Sequence, residues 1–75
     1  MTTIEAAQWL VAERLDSIAF YRHEACLWRC VPVLGAPNEA DDYDRMVAHA
    51  EAELRAWASN SDDPALACAA TEALL

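Results

Sequence analysis

The sequence predicts an all-α fold: an antiparallel helical hairpin over about residues 3–29 and 39–58, with a short third helix over about 64–74. Three observations predict it. The chain as far as Arg29 contains neither glycine nor proline. Val31 to Pro37 then gathers two of the three prolines and the single glycine. Apolar residues recur every three or four positions, without the strict alternation that strands require.

In the first helix Thr2 or Thr3 can act as N-cap, and Glu5 lies where the helix dipole favours an acid. Ile4, Ala7, Val11, Leu15, Ile18 and Ala25 share one stripe at ~100° per residue. Pro32 and Pro37 then remove backbone donors, and Gly35 allows a left-handed turn. Asn38 is the expected N-cap of the second helix, whose first turns carry Glu39, Asp41, Asp42 and Asp44. Tyr43, Val47, Ala50, Leu54 and Trp57 follow with the spacing of a coiled-coil seam. Asp41–Arg45 and Glu51–Arg55 are i,i+4 ion pairs on its outer side. Asp63 before Pro64 fits an N-cap with proline in the first helical position. Leu66, Ala69, Ala70, Ala73 and Leu74 then form one side of the third helix. With the turn centred near residue 34, Leu15 is expected to face Leu54, and Val11 to face Trp57.

Seventy-five residues make a single domain spanning 1–75. An apolar fraction of 56% rules out a disordered tail or linker. The longest stretch free of polar side chains, Cys30 to Pro37, is far short of the ~20 residues a bilayer span needs. No basic cluster precedes an apolar run at the start, so the expectation is a cytoplasmic protein. Cys26, Cys30 and Cys68 are then reduced thiols rather than a disulfide framework. Arginine and alanine without lysine suggest a GC-rich bacterial or phage genome.

Thirteen acids against five arginines give a net charge of −8. That balance disfavours nucleic acid and anionic membranes, whose binding depends on cations. It favours a basic protein partner.

The first helix has more apolar sides than one neighbour can cover. Trp9, Phe20 and Leu27 lie within ~20° of each other and ~160–180° from Val11 and Ile18. Glu13, Asp16 and Glu24 flank them, and Tyr21, Trp28 and Leu10 form a further edge. Either the third helix and the Val31–Leu34 loop fold over this second line, or it meets another molecule. Aromatic anchors ringed by acids suit a basic partner, with Asp41 and Asp42 adding charge. So small a domain buries too little to be comfortably stable alone, which makes a homodimer the expectation, and pairing through Trp9, Phe20 and Leu27 would also bury the surplus aromatics.

Arg22 and Arg29 fall inside the main stripe and, if buried, need carboxylates. Register offers Asp42 or Asp44 to Arg22, and Glu39 to Arg29, as structural ion pairs. His23, Cys26 and Cys30 form an H-x2-C-x3-C run of zinc-compatible ligand types. Turns more commonly supply such ligands, so the thiols are read as small hydrophobes and no metal or cofactor is expected. His49 reads as a solvated surface residue. No nucleophile elbow, phosphate loop, metalloprotease motif or E-x-x-E pair is present, so an enzyme is not expected. DNA mimicry is a weaker alternative: from Glu5 to Glu24 the helix offers four carboxylates over ~29 Å, where duplex DNA carries ~17 charges.

The expected function is therefore a small acidic interaction module. It would be an inhibitor or adaptor of the kind a phage or mobile element directs at a host DNA-binding or defence protein. A metal- or redox-responsive module built on His23, Cys26 and Cys30 is the alternative.

Overall fold

The computed structural model describes residues 3–75, so the candidate cap Thr2 lies outside the described residues. Three helices follow one another: α1 Thr3–Cys30, α2 Ala36–Asn60 and α3 Pro64–Ala73. The described residues contain no strand.

Pro32 ends α1, after the Val31 N–H donates to the Trp28 carbonyl in a last tight turn. The chain then reverses at Gly35, which has φ +90°, a conformation costly for any residue with a Cβ. α2 starts earlier than the sequence suggested. Gly35 takes the N-cap position without a side-chain cap, and Pro37 fits the first turn because its missing N–H is not needed there. Asn38 is thus helical, its own N–H donating to the Gly35 carbonyl. Ala36 and Ala40 are buried, which draws this first turn inward. At the other junction Asp63 caps α3, its side chain accepting from the Ala65 N–H at 3.0 Å. Such a cap contributes ~1 kcal/mol.

The core is narrow. Val11, Ile18, Val47, Ala50, Leu54 and Ala70 form its centre, with Tyr21, Trp57, Ala58, Leu66, Ala69 and Ala73 packed around them. Six of the ten buried residues among those described are alanines, so the helices approach closely but shelter few large side chains. Contacts pair the end of α1 with the start of α2, and its first half with the far half of α2: Arg29 meets Asp41 and Asp44, and Arg14 meets Glu53.

The buried side of α1 is turned relative to the expected stripe. Ala7, Val11, Ile18 and Ala25 are covered, but Ile4 is 63% exposed and Leu15 41% exposed. Arg14, Tyr21 and Trp28, one heptad apart, are partly covered instead. The cause is visible in the contacts: Tyr21 sits 6.2 Å from the Tyr43 ring, and the Arg14 guanidinium lies 5.5 Å from the centre of Trp57. Two large aromatic rings of α2 thereby draw this edge of α1 toward them, a gain that apolar and cation–π contact explains.

Candidate interaction surface

Trp9, Phe20 and Leu27 project from α1 along its outer side. They are 56%, 56% and 47% exposed, and helical rise spaces them over ~27 Å. Neither α3 nor the connecting loop covers them. α3 lies on a different side of α1, against Ile4, Gln8, Val11 and Leu15. The loop points outward: Val33 is exposed and Leu34 fully so. Phe20 makes one intramolecular ring contact, edge to face with Tyr21 at 5.8 Å.

Around this line the charge is uncompensated. Glu13 and Asp16 are exposed, Glu24 half-buried, and among the described residues none of the three enters an ion pair. The reason lies in where the cations are. Each of the chain's five arginines already holds a carboxylate: Arg14 with Glu53 at 3.1 Å, Arg22 with Glu51, Arg29 with Asp44, Arg45 with Asp42, and Arg55 with Glu51 at 3.8 Å. Arg14, Arg22 and Arg29 make these pairs across to α2, drawing α1's own positive charge toward α2.

Several expected pairings are corrected by this arrangement. Arg22 takes Glu51, not Asp42 or Asp44. Arg29 takes Asp44, with Asp41 at 4.0 Å, and Glu39 joins no ion pair among the described residues. Neither arginine is buried, their side chains being 64% and 50% exposed. A guanidinium reaches water from an apolar stripe at little cost, whereas burial would demand full pairing. Asp44's hydrogen bond and charge hold the Arg29 guanidinium above its ordinary value, so it stays charged across any working pH. Asp41 and Asp42 are themselves engaged, with Arg29 and Arg45. Arg29 leaves α1 ~160° round from Leu27, so this charge does not join the aromatic line. In α2, Arg45 pairs with Asp42 rather than Asp41. His49 is exposed as expected, with Nε2 2.9 Å from Glu53.

The cysteines differ from expectation in their packing. Cys26, Cys30 and Cys68 are all free and exposed, not packed as small hydrophobes. His23 and Cys30 are seven residues, ~10 Å, apart along the helix. Among the described residues no group of three ligand-type side chains could hold a metal, and no helix is long and apolar enough to cross a membrane.

The Arg14–Trp57–Glu53 contact was not anticipated; the heptad Arg14, Tyr21, Trp28 was its available signal. The loop tip Val31, Val33 and Leu34 is exposed, so the alternative in which the loop folds over the aromatic line does not hold. No known protein family, curated protein or solved structure matches this chain.

Proposed function

We propose that this chain is an acidic protein–protein interaction module that binds a basic surface of a partner protein through Trp9, Phe20 and Leu27. In this reading α1 and α2 act as an antiparallel hairpin that holds the line rigid, and Glu13, Asp16 and Glu24 select the partner by charge. The role is that of an inhibitor or adaptor in the cytoplasm, with no catalytic step of its own.

The observation that carries the reading is the separation of cations from the aromatic line. Exposed rings alone describe many surfaces, but rings flanked by unpaired carboxylates describe one that a basic partner fits. Rigid aromatics contribute most of the energy in such contacts, and rim charges mainly the rate and selectivity.

The test is paired affinity capture from the source organism with the native chain and with a Trp9→Ala/Phe20→Ala variant. A basic protein should be retained by the first and reduced at least tenfold with the second, and salt should weaken its capture. Truncating these half-exposed rings should change thermal stability little. Equal retention by both chains would remove the surface from consideration.

A further inference from the structure

We infer that the groove between α1 and α3, on a different side of the molecule from the aromatic line, is where a second copy of this chain docks. This does not depend on the partner proposed above. The groove is built from two adjoining clefts sharing Gln8, Ala69 and Glu72. The larger, about 580 Å³, lies between Ile4 and Cys68; the other continues past Val11 and Leu15 toward Ala73. Together they follow α1 for ~17 Å.

The chain exposes more area than a compact monomer, as its extents of 47 × 22 × 18 Å require, and a second copy along one side would cover part of it. A compact monomer of 8.3 kDa would expose ~4,600 Å², whereas this chain exposes 5200 Å². Its radius of gyration is 14.9 Å, against the ~11 Å expected for its length. The surplus of ~600 Å² approaches the ~800 Å² that each partner covers in a standard interface.

Charge selects the face and the occupant. Two copies at −8 each repel wherever carboxylates crowd, and a contact through the Trp9 line would bring Glu13, Asp16 and Glu24 against their equivalents. The α1–α3 groove is lined mainly by Ile4, Gln8, Val11, Leu15 and the alanines of α3, with Glu72 the carboxylate along its length and Asp63 at one end already serving as a cap. Gln8 supplies an amide donor that can meet the partner subunit's Glu72.

Register follows from the sequence. Ile4, Gln8 and Leu15 are exposed on the groove side of α1, beside the buried Val11. A twofold contact repeats each pair, so antiparallel α1 helices would set Ile4 against the partner subunit's Leu15, with Gln8 of each copy near the middle of the contact. Ile4 and Leu15 are apolar residues of the expected stripe that the single chain leaves uncovered.

Light scattering during gel filtration tests this. The native chain should elute at twice 8.3 kDa, and Ile4→Glu at the single-chain mass with helicity unchanged, because Ile4 is exposed within one chain. Ile4→Glu mixed with Leu15→Lys should regain the doubled mass, since one heterodimer contact becomes a Glu–Lys pair and the other stays apolar. A native chain of single mass at every concentration overturns the inference. So does Ile4→Glu that remains dimeric, a mixture that fails to associate, or a dimer lost through Trp9→Ala instead.

Discussion

Leu54→Ala is expected to destabilise the domain by about 2–5 kcal/mol and to lower its melting temperature by ~10–30 °C. Leu54 is 1% exposed and is the largest side chain so completely buried. Ala50, Ala58, Ala69, Ala70 and Ala73 share its cluster, and alanine has no rotamers with which to collapse into a new cavity. A domain of this size has roughly 4–11 kcal/mol in total, so one truncation removes a large part of it. Leu54→Met preserves volume and should cost less than ~1.5 kcal/mol. Met46→Ala, at a site 45% exposed, should stay within ~0.5 kcal/mol. Thermal melts followed by circular dichroism check all three. A Leu54→Ala variant that melts with the native chain would mean the core is centred elsewhere.

Gly35→Val is expected to cost about 1–2 kcal/mol, from the backbone alone. A Cβ added at Gly35 meets nothing within 4 Å, so no packing loss confuses the result. The cost arises because φ +90° is strained for an L-residue, most of all a β-branched one. Asn should cost less, since it visits this region more readily. A synthetic chain carrying D-alanine at position 35 separates the causes. Its mirror preference suits this φ, so it should match or slightly exceed the native stability, by ~0.4–1 kcal/mol. Equal losses from L-valine and D-alanine would point to a contact at the turn rather than to its dihedral angle.

The fold was largely legible because its punctuation is local. Pro32, Gly35 and the Asp63–Pro64 pair act through their own dihedrals and hydrogen bonds, so the helices could be placed from residue type alone. The start of α2 was misplaced because Asn38 is a good cap in isolation, while Gly35 and Pro37 settle the matter three residues earlier. The surface line Trp9, Phe20 and Leu27 was legible for a similar reason, being a count of apolar sides on one helix. What could not be read was rotation. A helix with apolar residues on several sides has no single direction to bury, so the Tyr43 and Trp57 rings of α2 decide which edge of α1 they take. That choice left Ile4 and Leu15 outside and moved Arg22 and Arg29 to partners other than those the register proposed.

The placement of the arginines gives the molecule a built-in gauge of its own opening. With no lysine in the chain, a protease that cuts after basic residues has five sites, and every one lies within α1 or α2. A helical segment must unwind before it can enter such an active site, so tryptic cleavage measures how often these helices come apart. A docking partner that holds α1 shut would register as a slower digest even where spectroscopy sees no change.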